Sequence, residues 1–308
     1  MFNHLLVLDI VGGAVRRIDL DGTVSTLVAD AGSAPDGIVC DPTADRIHWT
    51  LMGRPRRGET QGSGDGADFT ERNGGLRSAR ADGSDVTTVI ADGDITTGKQ
   101  LAIAGGFLYW CDREGGRVSR SRLDGTDLID LIVTKRDPAT GLVAIDDQCV
   151  GIAVDATAGL LYWTQKGPSK GDAGRIFRAG IDIPDGETAE SRTDIETLWS
   201  GLPEPIDLWI DAASDTLFWT DRGAAPRGNT LNCAQVPEAG TTAPTPTILA
   251  DDFAEAIGLA VDTDAGIAYV TALDGTVRAV PTRSDAPAER VVASVPGSAF
   301  TGIVGIGS

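Results

Sequence analysis

Histidine occurs only twice in the 308 residues, as His4 and His48, and cysteine four times, as Cys40, Cys111, Cys149 and Cys233. No two cysteines have C-x-x-C spacing, and no Cys/His group has the spacing of a zinc site. The cysteines are therefore read as reduced thiols of a cytoplasmic protein. A Ser-His-Asp hydrolase is disfavoured, because there is no nucleophile elbow and neither histidine falls on a loop expected to serve a site. Cations are scarce: 26 Lys and Arg stand against 45 Asp and Glu, a net charge of -19. Such a surface repels phosphate backbones and argues against nucleic acid as a partner. Long apolar runs are missing, which excludes a transmembrane helix and any membrane role built on one. Apolar stripes of helical period are missing too. The first residues, "MFNHLLVLDIVGG", lack a basic n-region and hold too short an apolar run for a signal peptide, so they read as a first strand. No Gly-rich dinucleotide fingerprint lies between a strand and a helix.

Short apolar runs bounded by Gly, Asp and Pro dominate, in a chain with 39 glycines and 15 prolines. That is the signature of strands joined by tight turns. The runs repeat. "RIHWT" (46–50), "FLYWCD" (107–112), "LLYWTQ" (160–165), "TLFWTD" (216–221) and "IAYVTA" (267–272) are five copies of one aromatic strand, and "LLVLDI" (5–10) is a degenerate sixth. Each is followed by a strand such as "GRVSRSRLDG" and then by an apolar one such as "TTVIAD". Five are preceded by a further strand: "GIVCD" (37–41), "QLAIA" (100–104), "GIAVD" (151–155), "DLWID" (207–211) and "GLAVD" (258–262). The missing partner of the first unit is "GIVGI" (302–306), at the other end of the sequence. Six units of four strands predict an all-β fold: one six-bladed β-propeller domain over residues 1–308, closed by the C-terminal strand, which completes the N-terminal blade. Closure of this kind removes the free sheet edge and disfavours an open solenoid.

The recurring "YWTD"-like strand, with "LDG" at the turn two strands on, resembles the six-bladed YWTD propellers of low-density-lipoprotein-receptor ectodomains. The resemblance covers almost the whole chain and implies the fold, while one fold hosts many activities. Receptor modules of this type bind proteins beside disulfide-rich modules, which this sequence lacks. It is more similar to free-standing intracellular or microbial relatives, some of which carry misleading dehydrogenase names. Six-bladed propellers also resemble calcium-dependent lactonases of the gluconolactonase type and the strictosidine-synthase group, which place chemistry at one end of the central channel.

With strands lettered A to D from the axis outward, the B–C and D–A loops open on one face, where a site is expected. At the start of strand A, one column holds Gly37, Gln100, Gly151, Asp207, Gly258 and Gly302. Glycine suits close backbone packing, and Gln100 and Asp207 break the rule. The column before it holds Asp36 and Lys99, with Gln148, Glu204 and Glu255 slightly further out. Crowded carboxylates beside an ammonium suit acid–base work or the oxygen ligation of a hard cation, or simply hydrate the channel and cap neighbouring blades. In the acid–base reading Asp207 or Glu204 moves a proton, with Asp36 in the same group. Lys99, Gln100 and Arg222 then stabilise developing oxyanion charge. Gln148 and Glu255 contact substrate. Just after the aromatic motif come Arg54, Arg113, Lys166 and Arg222, placed to attract an anionic or enolate-like ligand or to pair with local acids. The loop 52–75 exceeds the other B–C loops in length and is read as a lid. His48 takes the place of a tyrosine, either as a ligand contact or as a hydrogen-bonded core residue. A nucleophilic Cys149 is disfavoured, because no histidine adjoins it in sequence. Trp209, on an innermost strand, faces either a ligand or the core.

The function expected is a cytoplasmic, monomeric or weakly self-associating propeller that binds a small molecule. It turns that molecule over as a lyase, isomerase or cyclase acting on an anionic or enolisable metabolite. No cofactor is expected. The alternatives are a calcium-dependent lactonase-like hydrolase, with Glu204 and Asp207 as ligands, and a non-catalytic interaction propeller.

Overall fold

The second strand of every repeat has a neighbouring sheet on both sides, so it is buried on both faces and reads as a continuous apolar run. In the computed structural model, which describes residues 1–56 and 67–307, these strands belong to six four-stranded antiparallel sheets. Their innermost strands are Phe300–Gly307, Pro35–Asp41, Gly98–Ala104, Cys149–Asp155, Pro205–Asp211 and Ala256–Asp262, in blades one to six. The first of these pairs with Phe2–Asp9, so the C-terminal strand is indeed the axial strand of the first blade. The register sets Val7 opposite Ile303 as Trp163 stands opposite Ile152, which puts Asp9 in the place of Asp112 and Asp221. No helix among the described residues is long and apolar enough to cross a membrane.

Adjacent aromatic residues serve different seams, because successive side chains of a strand point to opposite faces. In blade four, Leu161 and Trp163 pack against Tyr109, Cys111 and Val118 of the preceding blade. Tyr162 packs against Leu208, Leu217 and Trp219 of the following one. Trp163 stacks on Phe177 at 5.2 Å. The motif aspartates hold the turn into the axial strand. Asp112 accepts from the N–H groups of Thr96, Thr97 and Gly115 at 2.7–3.0 Å, and Asp221 from those of Glu204 and Gly223.

The motif threonine lies two residues beyond the tyrosine, on the same face, and reaches the next blade. Thr164 accepts from Gly151 N–H in its own axial strand at 2.7 Å and donates to Ile206 C=O of blade five at 3.0 Å. Thr50 joins Gly37 to Lys99, Thr220 joins Asp207 to Ile257, and Thr271 joins Gly258 to Thr301 in the same manner. Cys111 substitutes with a weaker S–H contact to Gly151 C=O at 3.3 Å. Between blades one and two the bond comes from Thr301, which donates to Pro35 C=O at 2.9 Å.

Thr164→Val keeps the shape and leaves a buried N–H and C=O without this partner, so it should lower stability by about 1–3 kcal/mol. Thr126→Val, at an exposed turn beside Asp124, should stay within about 0.5 kcal/mol. Urea titration of both variants checks this, and equal losses would remove any special role for the inter-blade bond.

Candidate functional site

Six residues close the axis at the start of the innermost strands. Asp36, Lys99, Val150, Ile206, Ile257 and Thr301 are each at most 7% exposed. Val150, Ile206 and Ile257 form an apolar cluster with Leu273. On the other side of the ring Lys99 Nζ lies 2.5 Å from Asp36 Oδ1 and 3.4 Å from Met52 Sδ. Burial pulls the Lys99 ammonium below its ordinary pKa, against the opposing pull of Asp36.

The next ring explains the glycine column. A Cβ on Gly151 would stand 2.0 Å from Ile206 O, on Gly258 2.3 Å from Thr301 O, and on Gly302 2.4 Å from Asp36 O. Neighbouring axial strands thus meet backbone to backbone, which only glycine allows at these positions. Gln100 and Asp207 occupy the other two sectors that break the pattern. Gln100 Nε2 donates to Asp36 Oδ2 at 3.4 Å. Asp207 Oδ1 accepts from Leu208 N–H and Oδ2 from Leu259 N–H of the next blade, both at 2.9 Å. Burial pushes the Asp207 carboxyl up to about 8, helped by the charge of Asp36 and opposed by the two amides and Lys99.

Below this ring a channel of about 350 Å³ follows the innermost strands, and Gln100 and Asp207 line it. Its walls are Ile38, Leu101, Ile152, Leu208, Leu259 and Ile303, each under 9% exposed. Towards the other end of the strands Phe2, Cys40, Ile103, Val154, Trp209 and Gly305 are half-buried. The channel therefore opens at the C-terminal ends of the axial strands, on the face opposite to the one expected from sequence. The expected face is stoppered because inter-blade bonding and glycine packing draw the strands together there.

The single cluster expected at one mouth resolves into separate groups. Asp207 and Gln100 lie in the channel. Asp36 and Lys99 form an ion pair in the stopper. Glu204, fully buried, accepts from Arg222 Nε and Nη2 at 2.9 and 2.7 Å, Lys166 Nζ at 3.1 Å and Lys170 N–H at 3.1 Å. It is the counter-ion of two cations outside the channel. Glu255 pairs with Lys170 at 3.0 Å and lies 3.7 Å from Arg222. Arg113 pairs with Glu114 at 2.7 Å. Three of the four cations after the motif are thus bound to local acids. Arg54 stands at an outer corner, near Ser33. Gln148 is half-buried after a short 3-10 turn, Ile145–Asp147. His48 is outside the channel, on the seam with blade three beside Asp41, Arg46 and Ser78. Burial pushes its pKa down to about 4. Of the proposed lid, 57–66 lie outside the described residues. Its described parts reach blade three, where Phe69 C=O accepts from Thr97 and its ring lies under Arg113.

Glu204 and Asp207 share no site, and each is already surrounded by donors. Among the described residues no three His, Cys, Asp or Glu side chains converge. The expected pairing of Arg113 with a local acid is met by Glu114, whereas sequence reasoning missed the counter-ion Lys170 and the open end of the channel. Nothing local marks which end of an axial strand is closed.

Asp207 keeps its proton in the folded protein up to about pH 8 and in the unfolded chain only to about 3.8. Between these values the fold holds the extra proton, so stability falls as pH rises, by up to about 1.4 kcal/mol per unit. Asp207→Asn cannot ionise. Its stability relative to wild type should therefore increase from pH 5 to pH 8 in parallel urea titrations. Asp221, raised to about 7, titrates in both proteins and drops out of the comparison. A pH-independent difference would refute the assignment.

No family model matches the sequence. Over 281 residues the chain is 42% identical to a Pyricularia oryzae protein named low-density lipoprotein receptor-related protein 1, covering 86% of this chain and 84% of that one. It is 36% identical over 282 residues to a 3-hydroxyacyl-CoA dehydrogenase-like protein of Cochliobolus heterostrophus, covering 86% of this chain and 55% of that protein. Among solved structures it superposes on a chain of the nidogen/laminin complex with TM-score 0.70 and 20% identity, over 98% of this chain and 97% of that one. A putative 6-phosphogluconolactonase from Bacteroides uniformis follows with TM-score 0.56 and 11% identity, over 95% of this chain and 82% of that one. The calcium-binding protein regucalcin from Agrobacterium tumefaciens gives 0.54 and 17%, over 95% and 81%. At these identities the three structures bear on the fold alone.

Proposed function

This chain belongs to the YWTD-propeller family of low-density lipoprotein receptor-related proteins, and we propose that it is a small-molecule-binding member whose axial channel is the site of acid–base catalysis. One observation carries the reading: a channel with apolar side-chain walls ends on a buried carboxyl whose pKa is pushed up to about 8. A volume of about 350 Å³ falls at the small end of ligand pockets, which combine apolar walls with a few placed polar groups. A carboxylic acid kept neutral near pH 7 can donate a hydrogen bond or a proton to a substrate oxygen. In this reading Asp207 is that acid and Gln100 the second polar contact. Asp36 and Lys99 act from behind, by fixing Gln100. The reaction class is lyase, isomerase or cyclase, each of which begins by polarising a carbonyl or hydroxyl. The four free thiols accord with a cytoplasmic setting. The large hydrophobic side chains exposed to solvent are scattered over all six blades, from Val11 to Val291, which gives an interaction module no obvious patch.

Native mass spectrometry of the protein after incubation with a small-molecule extract of its host cells tests the proposal. Wild type should retain one organic mass, and its product should accumulate on incubation. Asp207→Asn should retain the mass with turnover lowered by about 100-fold or more, the scale of a lost acid, and an intact fold. No retained molecule, or undiminished turnover in Asp207→Asn, would overturn the reading.

A further inference from the structure

The closed end of the channel has a second property, which follows from strand register. Each innermost strand has one edge paired within its blade and one edge turned to the axis. Leu208 and Leu259 send their N–H groups to Asp207, inside the channel. They stand opposite Trp219 and Val270. Ile38, Leu101, Ile152 and Ile303 hold the same register, opposite Trp49, Trp110, Trp163 and Val7. Their N–H groups therefore face the axis at the same level. No side chain accepts from these four amides among the described residues.

Around the ring the residue facing Ile38 is Gly302, that facing Leu101 is Gly37 and that facing Ile303 is Gly258, while Gln100 faces Ile152. The side chain at this position points at the N–H of the next strand, as Asp207 points at Leu259. A Cβ on Gly37 would lie 2.6 Å from Leu101 N, and one on Gly302 2.9 Å from Ile38 N. Glycine places no side-chain acceptor before the amides of Ile38, Leu101 and Ile303 at the closed end of the channel. Buried N–H groups require an acceptor, and several at one level of a channel favour a charged oxygen.

We infer that the closed end of the channel binds the carboxylate of a small aliphatic acid, held by the strand-edge amides of Ile38, Leu101, Ile152 and Ile303 and by the carboxyl of Asp207. This rests on the channel being the ligand site. The hydrocarbon part lies along the Ile and Leu walls towards Trp209 and the open end. Asp207 donates its proton into a hydrogen bond with the ligand, so the two carboxyl groups share one negative charge instead of repelling. The other titratable groups facing Asp207 are Asp36 of blade two and Lys99 and Cys111 of blade three. The first two neutralise each other as an ion pair, and burial raises the Cys111 thiol well above its usual range.

The probes are hexanoate and the matched neutral hexan-1-ol, titrated calorimetrically and by NMR of protein labelled with 15N-isoleucine. Hexanoate should bind with one site per chain and move the amide protons of Ile38, Ile152 and Ile303 downfield. Its affinity should fall on the order of tenfold or more between pH 6.5 and pH 9.5 as Asp207 ionises. In Asp207→Asn, whose amide donates at every pH, the change should stay within about threefold. Binding of hexan-1-ol with shifts at channel residues, and none of hexanoate, would overturn the carboxylate assignment and leave the channel as a ligand site. Binding of neither probe would overturn both. Hexanoate binding that spares the three isoleucine amides, or has the same pH profile in both proteins, would also overturn it.

Discussion

The inter-blade hydrogen bond of the motif threonine is the constraint on which the axis depends. A propeller has no continuous sheet around its centre, because every innermost strand turns a bare edge to the axis. Contacts between neighbouring strand starts close the ring at the axis, while side-chain packing joins the blades further out. A hydroxyl both accepts and donates, so one threonine can hold an N–H of its own blade and a C=O of the next. That short link draws backbones so close that four of the six following positions have room only for glycine. It also brings Asp36, Lys99 and their neighbours into a stopper. The blind end of the channel is a consequence of how the ring is tied.

The same geometry separates carboxylates that sequence alone would group together. Asp36 has the Lys99 ammonium at 2.5 Å, and Glu204 has Lys166 and Arg222. Asp207 has two backbone amides and, among the described residues, no cation in contact. Removing a carboxylate from water costs several kcal/mol unless charge compensates it. Burial pushes the Asp207 carboxyl up to about 8, while Asp36 and Glu204 serve as counter-ions. The acidic chain thus places its buried cations where they neutralise structure, and lines the channel with a carboxyl that burial keeps protonated near neutral pH.

The fold was legible in the sequence because propeller repeats are local. Each Tyr–Trp pair reports its two seams, each Asp its turn, and the orphan "GIVGI" its missing blade. Gln100 and Asp207 were legible as departures from a glycine column, since the column records a steric limit. The orientation of the channel was not legible. Both ends of an axial strand read as apolar residues flanked by acids, and only the backbone approach decides which end closes. The pairing of Glu204 with Lys166 and Arg222 also escaped, because those residues are 38 and 18 positions away. The nearest acid in sequence explained Arg113 and misled for Arg222. His48 shows the opposite error: its chemistry drew attention to a residue that the alternation of the strand had already committed to the seam with blade three.

A channel closed at one end imposes an order on any ligand. The polar end must go in first, since the far wall carries the amides, Gln100 and Asp207. Hydrocarbon that follows meets Ile, Leu and finally Trp209 near the open end. Reverse insertion would leave bare N–H groups facing methylene, a loss of about 1–3 kcal/mol for each unsatisfied group. Two such groups already outweigh the gain of about 0.8 kcal/mol from burying one more CH2. Polarity at the blind end therefore sets the direction of binding more strongly than the length of the apolar wall. In the proposed reaction the reactive group of the ligand lies within the first few atoms of its polar end, where Asp207 reaches it.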